Sequence, residues 1–330
     1  MNSTIRVMQI GLGYIGLAVA QIVAERREYS LVAAADINPE LAGKNLDQLA
    51  GGPKGVKITV SSSLKDAIAY SDVDVAILTT SSTMKDITPQ VLELVEAGIP
   101  VVSTCEELVY PWRTDHALAE KINTASTDAG VAVLSTGVNP GFLMDFLPTV
   151  VSRIARRVDR VIVDRVQDAG TRREAFQRKV GAGLTVEEFE SRVAAGNFGH
   201  AGLEASVDLL ASGLGWELDN VTESIEPVIA DQPHQTEFVA IRPGQVTGVY
   251  QVGRGFKNGT EVITLTFRAA VGEPESFDRV RLEGIPDLES VFPSGVPGDV
   301  ATGAITAGVI PLVLKLKPGL HTMADLWPSG

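Results

Sequence analysis

The chain has 330 residues, 45% of them apolar and 32 of them glycine, which is typical of a packed α/β protein of about two domains. Its 28 basic and 41 acidic residues give a net charge of −13, which disfavours nucleic acid as a partner because its backbone is also negative. One cysteine excludes an internal disulfide and a cysteine-rich zinc site, and the four histidines lack metal-ligand spacing, so no metal is predicted.

The first predicted strand, Ile5–Ile10, runs into a glycine-rich turn that opens a helix predicted over Tyr14–Glu25. A second strand, Ser30–Ala35, ends at Asp36, 20 positions after the third glycine of the turn. This spacing is typical of dinucleotide binding, in which backbone N–H groups receive the pyrophosphate and the carboxylate accepts from the adenosine ribose. The predicted cofactor contacts in this segment are Gly11, Gly13, Tyr14, Ile15, Gly16, Asp36 and Asn38.

The choice between NAD and NADP stays open at this point. Asp36 alone favours NAD, because a carboxylate suits a ribose hydroxyl rather than a phosphate. However, Asn38, Lys44 and Asn45 follow closely and could reach the 2′-phosphate of NADP.

The pattern of alternating strands and helices continues for about the first 140 residues. Six strands separated by helices predict a doubly wound parallel sheet, the Rossmann fold. The further strands are predicted over Val56–Val60, Val73–Leu78, Pro100–Thr104 and Val131–Leu134, and the further helices over Ser63–Ser71, Lys85–Ala97 and Asp115–Ala129.

Small hydroxyl residues follow the strand Val73–Leu78, at the sheet edge where ligands bind in such folds. They are predicted to contact the cofactor, although they could instead cap the next helix. These residues are Thr79, Thr80, Ser81 and Ser82.

The next strand leads into Glu106 and Glu107, and the one after it leads into a loop containing Asn139. A carboxylate at this edge could exchange protons with a substrate whose protonation changes during hydride transfer, and an amine is such a substrate. Alternatively, both glutamates simply open a helix, where acidic residues are favoured. The Asn139 amide could hold the nicotinamide or the substrate, or could close an Asn-Pro-Gly turn.

After Val158 the pattern predicts an α+β domain. Its predicted strands are Arg160–Val166, Glu223–Ala230, Thr236–Ile241, Gly248–Arg254 and Glu261–Arg268; its helices are Ala175–Val180, one opened by a capping box at Thr185, and Leu203–Leu214. Asn258-Gly259 is a strong hairpin signal between the last two strands. A final helix is predicted over Val300–Leu316.

Candidate substrate contacts come from both regions of the chain. His200 could donate or accept at neutral pH, or could bond at a helix terminus. Phe142 and Met144 could form an apolar wall or belong to a helix that runs to about Ala155. Gln177 is predicted to contact the substrate or to span a domain interface. A substrate carboxylate would need a cation, and the candidates are Arg172, Arg173 and Lys179.

We expect a cytoplasmic protein without a membrane partner. No apolar run reaches the roughly 18 residues that a membrane span needs. The first six residues lack the basic start and apolar stretch of a signal peptide.

Several segments, in this order and spacing, resemble the 2,4-diaminopentanoate dehydrogenases and the related native amine dehydrogenases. They are TTSS at 79–82, STCEELVYPW at 103–112, STGVNPGF at 135–142, AFQRKVGAGLTVEEF at 175–189, HAGLEASVDLL at 200–210 and GDVATGAI at 298–305. The resemblance runs nearly end to end.

The resemblance implies an NAD- or NADP-dependent homodimer that oxidatively deaminates an amine or reductively aminates a ketone with ammonia. A glutamate of the CEE motif would be catalytic; Glu106 is preferred to Glu107, and Cys105 is expected to lie at the cofactor. The implied plan, similar to dihydrodipicolinate reductase, has a nucleotide domain at 1–145, a substrate and dimerisation domain at 146–298, and a C-terminal helix and tail at 299–330. The alternatives are a dehydrogenase of a diamino acid, an imine or dihydrodipicolinate-type reductase, and a nucleotide-binding sensor.

Overall fold

The computed structural model describes residues 4–69, 72–196 and 198–327. They form two compact units. The first unit combines the residues up to 142 with those from 297 onward, and the second comprises residues 143–296. The boundaries expected from the sequence, 145 and 298, lie three and two residues from these.

The first unit contains a seven-stranded parallel sheet with the strand order β15-β6-β5-β4-β1-β2-β3. This confirms the predicted doubly wound sheet, to which β15 adds an edge strand that was not predicted. The strands are β1 Ile5–Ile10, β2 Tyr29–Ala35, β3 Val60–Ser61, β4 Val75–Leu78, β5 Val101–Ser103, β6 Ala132–Ser135 and β15 Gly319–His321. The predicted strand over 56–60 is reduced to β3.

Helices cover this sheet, and their apolar side chains fill its core. Met8 and Ile10 of β1 pack with apolar residues of helices α3 and α5 on one face. The helices of the unit are α1 Tyr14–Glu25, α2 Leu64–Ala69, α3 Met84–Glu96, α4 Pro111–Thr114, α5 His116–Ala129 and α10 Gly298–Val313. The last two residues of the helix predicted over 63–71 lie outside the described residues.

The C-terminal helix α10 belongs to the first unit, although it follows the second unit in the chain. It packs against α1: a Cβ on Gly303 would lie 2.7 Å from the Ile22 side chain, so the glycine permits the close approach. The Tyr29 hydroxyl of β2 donates to the Ala307 carbonyl at 2.7 Å and fixes the helix to the sheet.

The second unit is built on a six-stranded mixed sheet with the order β14-β13-β7-β12-β11-β8. Helix α9 covers one face, where its Leu203 and Val207 side chains contact Gly253 and Gly255. The strands are β7 Arg157–Asp168, β8 Asn220–Ile229, β11 Val246–Lys257, β12 Thr260–Ala270, β13 Phe277–Ile285 and β14 Leu288–Pro293, and the helices are α6 Phe146–Ser152, α7 Glu174–Lys179, α8 Val186–Ala194 and α9 Leu203–Leu214.

Three features of this unit bear on the sequence predictions. The hairpin at Asn258-Gly259 is confirmed, with both residues at positive φ between β11 and β12. The strand predicted over 236–241 is wrong: only the short pair β9 His234–Gln235 and β10 Ala240–Ile241 forms. The Thr236 hydroxyl accepts from the N–H groups of Phe238 and Val239, which turns the chain instead.

Within the described ranges, none of the helices has the length and apolar character needed to cross a membrane. The same residues contain no group of three or more His, Cys, Asp or Glu side chains arranged to hold a metal ion.

Candidate functional site

The glycine-rich turn has the geometry that a dinucleotide pyrophosphate requires. Gly11 has φ +82°, and a Cβ there would lie 2.7 Å from the Thr79 carbonyl oxygen. A Cβ on Gly16 would overlap the Gly11 carbonyl oxygen, so these two glycines are needed for the turn itself. A Cβ on Gly13, in contrast, would enter open space. The turn is therefore packed against the protein at Gly11 and Gly16, whereas the space at Gly13 is open. A phosphate could approach the backbone there.

The same turn ends at the N-terminus of α1. Gly13 is the N-cap residue and Tyr14 is exposed, whereas Ile15 is half-buried. In this described helix no side chain caps the N-terminus and no acidic residue lies in the first turn. A helix N-terminus of this kind favours an anion, because its N–H groups and dipole are directed at it.

Asp36 lies at the end of β2 and contacts the glycine-rich turn directly. Its Oδ2 accepts from the Leu12 N–H at 2.6 Å, and its Oδ1 accepts from the Asn38 N–H at 2.8 Å. The next residue, Ile37, is 92% exposed. The carboxylate is therefore fixed beside the turn, with an apolar side chain presented to solvent next to it.

The hydroxyl residues after β4 have mainly local partners. The Thr80 hydroxyl donates to Gln90 at 2.8 Å, and the Ser81 hydroxyl donates to Asp86 at 3.0 Å, at the start of α3. Hydrogen bonds from Thr83 and Ser81 lower the pKa of Asp86. The Ser82 carbonyl accepts from the Glu107 N–H. Ser81 is therefore bonded to the first turn of α3, and contact of these hydroxyls with the cofactor stays a prediction.

The two glutamates after β5 have different surroundings. Glu107 Oε2 accepts from the Met84 N–H at 2.6 Å, so its carboxylate caps the N-terminus of α3. Glu106 opens a single 3₁₀ turn over Glu106–Leu108 and is half-buried. Because β1, β4, β5 and β6 are parallel neighbours, Glu106 follows its strand at the same edge as the glycine-rich turn.

Buried serines hold the loop that carries Glu106. The Ser135 hydroxyl of β6 lies 2.7 Å from the Cys105 carbonyl oxygen and donates to it, and the Ser103 hydroxyl accepts from the Cys105 N–H. Both serines are completely buried. Cys105 itself packs in the core of the sheet, and burial raises the pKa of its thiol to about 12. Its thiol is therefore protonated and packs in the core, and contact of Cys105 with the cofactor stays a prediction.

The loop after β6 is tightly closed. A Cβ on Gly141, which has φ +120°, would lie 2.6 Å from the Gly137 nitrogen. The Val138 N–H donates to the Thr302 hydroxyl of α10 at 3.2 Å. Asn139 is 7% exposed in this loop. Ser103, Ser135 and Thr302 were not among the predicted site residues, although each is a hydroxyl residue within one of the motifs quoted above.

In the second unit, His200 lies two residues before Gly202, the N-cap of α9. Its backbone N–H donates to Gln251 Oε1 at 2.7 Å, and its ring meets Phe267 edge-on at 4.5 Å. Burial and, to a smaller extent, the charge of nearby Lys179 lower the pKa of His200 to about 3. The imidazole is therefore neutral near pH 7; its Nδ1–H donates to the Ala201 carbonyl at 2.9 Å, which makes Nε2 an acceptor.

The other predicted substrate contacts, Gln177, Met144 and Phe142, are bonded or packed within the protein. The Gln177 amide donates to the Gly170 and Arg172 carbonyls and accepts from Thr236, so it joins two loops. The Met144 side chain is completely buried in the second unit. Phe142, the last residue before that unit, is half-buried. Contact of these side chains with a substrate stays a prediction.

The second unit also contains a buried ion pair that was not predicted from the sequence. Arg165 Nη1 donates to Asp278 Oδ1 at 2.7 Å, with both side chains almost inaccessible to solvent. Near it, Arg172 donates to Gln167 at 3.2 Å and stacks on Phe176 at 4.5 Å. Lys179 and Arg165 both face His200 closely enough to affect its charge.

Comparison with known proteins agrees with this geometry. The sequence profile of the 2,4-diaminopentanoate dehydrogenase C-terminal domain matches residues 142–329, and a profile described as a CoA binding domain matches residues 2–107. The chain is 29% identical to a 2,4-diaminopentanoate dehydrogenase of Acetoanaerobium sticklandii, over 98% of this chain and 93% of that one. It is 22% identical to an amine dehydrogenase of Streptomyces virginiae, over 96% and 94% of the two chains.

The fold matches that of a solved amine dehydrogenase from Mycobacterium smegmatis with a TM-score of 0.82 and 23% identity, covering 98% of this chain and 96% of that one. The fold and the glycine-rich turn define an NAD(P)-dependent oxidoreductase. Since the first profile covers more than half of its length, the chain belongs to the 2,4-diaminopentanoate dehydrogenase family.

Proposed function

We propose that this protein catalyses the reversible oxidative deamination of a small amine, and in reverse the reductive amination of a ketone with ammonia. The observation that carries the proposal is the position of Glu106, a carboxylate that follows β5 at the sheet edge that holds the glycine-rich turn, whereas the carboxylate of its neighbour Glu107 caps α3. The first unit would bind the nucleotide and the second the substrate. Bound nicotinamide would supply the hydride donor or acceptor.

Glu106 would act as the general base and then as the general acid of the reaction. In the aminating direction ammonium must lose a proton before its nitrogen can attack the carbonyl, and a nearby carboxylate can take that proton. The protonated Glu106 would then return it to the hydroxyl of the carbinolamine, which leaves as water. The iminium ion that results is positive, and the carboxylate at Glu106 stabilises it.

Initial rates test the reaction directly. NADH or NADPH oxidation should require ketone and ammonium together, because neither alone forms the iminium ion. Oxidation with ketone alone would indicate an alcohol dehydrogenase, and reduction of a cyclic imine without ammonium would indicate a dihydrodipicolinate-type reductase. Tight dinucleotide binding without turnover on a panel of ketones and amines would indicate a sensor.

Our first choice of substrate is a small hydrophobic amine or its ketone. The cations of the second unit support this choice, because Arg165 is paired with Asp278 and Arg172 is bonded to Gln167 and stacked on Phe176. A diamino acid is the second candidate, favoured by Lys179 near His200 and by the 29% identity to a diaminopentanoate dehydrogenase. Comparing kcat/KM for amines with and without a carboxylate separates the two.

The surroundings of β2 support NAD over NADP. The Asp36 carboxylate is fixed by two backbone N–H groups where a ribose 2′-phosphate would be repelled. The side-chain amides of Asn38 and Asn45 are oriented by local bonds: Asn38 Oδ1 accepts from the Glu40 N–H, and Asn45 Oδ1 accepts from the Thr59 hydroxyl. Ile37 presents an apolar surface rather than a cation.

We also propose a homodimer formed through the sheet of the second unit. Helix α9 covers the face that bears Gly253 and Gly255. The opposite face carries a row of neighbouring side chains across five strands, with polar groups that include an Asp164–Arg279 ion pair. The row consists of Ser224, Val252, Thr266, Asp164 and Arg279. A cytoplasmic location fits dependence on the cellular nicotinamide pool.

A further inference from the structure

The peptide unit between Gly11 and Leu12 is held at both ends. Its carbonyl oxygen, on Gly11, accepts from Gln9 Nε2 at 3.0 Å and from the Thr79 hydroxyl at 2.8 Å. Its N–H group, on Leu12, donates to Asp36 Oδ2 at 2.6 Å. Because the peptide is planar, these contacts fix the orientation of the whole unit. The direction in which the chain enters Gly13 and α1 is fixed with it.

Gln9 makes its contacts from inside the protein. The residue is on β1, immediately before the turn, and is completely buried. Its Nε2 also lies 2.9 Å from the Thr79 hydroxyl oxygen and 3.3 Å from the Ile10 carbonyl oxygen. Rotating the amide by 180° would place Oε1 against these oxygens, so the surroundings determine which amide atom faces the turn.

The opposite side of the same amide is poorly satisfied. Gln9 Oε1 is buried and accepts no hydrogen bond from the residues that the structure describes. Buried polar atoms are normally bonded, and an apolar side chain at this position would avoid the cost of burying Oε1. Packing alone would therefore favour an apolar side chain over glutamine at this position. The hydrogen bonds that Gln9 does make go to the glycine-rich turn and to Thr79 beside it.

We propose that Gln9 is a positioning residue for the dinucleotide: its side-chain amide, with the Thr79 hydroxyl, sets the plane of the Gly11–Leu12 peptide and thereby aims the N–H groups that follow at the pyrophosphate. The inference rests on the proposed dinucleotide site. Gln9 is buried beneath the turn, so it acts through the backbone. Since NAD and NADP share the pyrophosphate, Gln9 affects the binding of both equally, whereas Asp36 affects the choice between them.

The variant Gln9→Met keeps the side-chain volume and removes both donors. We expect the dissociation constants of NADH and NADPH, measured by calorimetry, to rise about tenfold each, which corresponds to about 1.4 kcal/mol. The control is Ser126→Ala, which removes a buried hydroxyl that donates to the Ile122 carbonyl of α5, away from the turn. It should lower thermal stability without changing either dissociation constant.

Thr79→Val provides an independent variant if Gln9→Met does not fold, because it removes the second donor to the same carbonyl and should weaken both dinucleotides in the same way. The inference is overturned if the folded variants bind both dinucleotides as the wild type does, if only one of the two is weakened, or if Ser126→Ala weakens them equally. A wild-type protein that binds neither dinucleotide would overturn the proposed cofactor site, and this inference with it.

Discussion

Glu107 accepts a hydrogen bond from the backbone N–H of Met84, at 2.6 Å, and so connects the loop after β5 to the first residue of α3. This contact gives Glu107 a structural role and so distinguishes it from the adjacent Glu106, which the sequence alone does not do. One carboxylate stabilises a helix N-terminus, where its charge also interacts favourably with the helix dipole. The other, Glu106, is half-buried at the candidate site.

We therefore expect Glu107→Gln to act mainly on stability. Loss of the charged cap should lower the free energy of unfolding by about 1 kcal/mol, because a neutral amide accepts more weakly from the helix N–H. Thermal denaturation followed by circular dichroism measures the change. Glu96→Gln is the matched control, since Glu96 ends the same helix and its negative charge is not favoured there. Equal stability of the two variants would contradict the capping role.

Exchange of the residues after β2 should change the cofactor preference. Asp36→Ser combined with Ile37→Arg removes the repelling carboxylate and adds a cation for the 2′-phosphate, so the ratio of kcat/KM for NADP to that for NAD should rise at least about tenfold. The control Asn45→Ala changes a side chain that bonds to Thr59 and should leave the ratio unchanged. A parallel change for both cofactors in the double variant would argue against the proposed NAD preference.

The depressed pKa of His200 predicts a loss of stability in acid. In the unfolded chain His200 takes up a proton below its ordinary pKa of 6.5, whereas the folded protein keeps it neutral down to about 3. Its contribution is therefore present above pH 6.5 and is lost as the pH falls toward 3. In His200→Gln, urea denaturation between pH 6.5 and 4 should show a weaker pH dependence, by up to about 1.4 kcal/mol per pH unit. An unchanged slope would mean that His200 takes up its proton over the same pH range in the folded and the unfolded protein.

The proposed dimer is tested on the sheet of the second unit. Thr266→Arg places a new charge in the centre of the row opposite α9 and should convert a dimer into a monomer, measured by light scattering after gel filtration. Glu190→Arg, on the exposed surface of α8, should leave the mass unchanged. A wild-type monomer, or a dimer that tolerates Thr266→Arg, would rule out this interface.

Much of the fold could be predicted because local patterns determine it. The turn after β1 and the hairpin at Asn258-Gly259 follow from glycine conformations that few other residues adopt. Strand β13 was missed because Asp278 takes an inward position that is usually apolar, which only its partner Arg165 on β7 makes tolerable. Strand β15 has only three residues and is defined by its pairing with β6.

The candidate site was less predictable than the fold. Its motifs marked the edge of the sheet, but the separate roles of Glu106 and Glu107 depend on Met84, 23 residues away in the chain. A partner so distant in the chain is set by tertiary structure, which local sequence does not specify.

The role of Glu106 is tested most directly by measuring kcat for Glu106→Gln and Glu107→Gln at saturating ketone, ammonium and dinucleotide, together with the dissociation constant of NADH. We expect Glu106→Gln to lose at least about a hundredfold in kcat, because the amide cannot take a proton from ammonium, while its affinity for NADH stays within about twofold. Glu107→Gln should keep most of its turnover. Near wild-type turnover of Glu106→Gln, or a greater loss in Glu107→Gln, would contradict the assignment of Glu106 as the carboxylate that handles the amine.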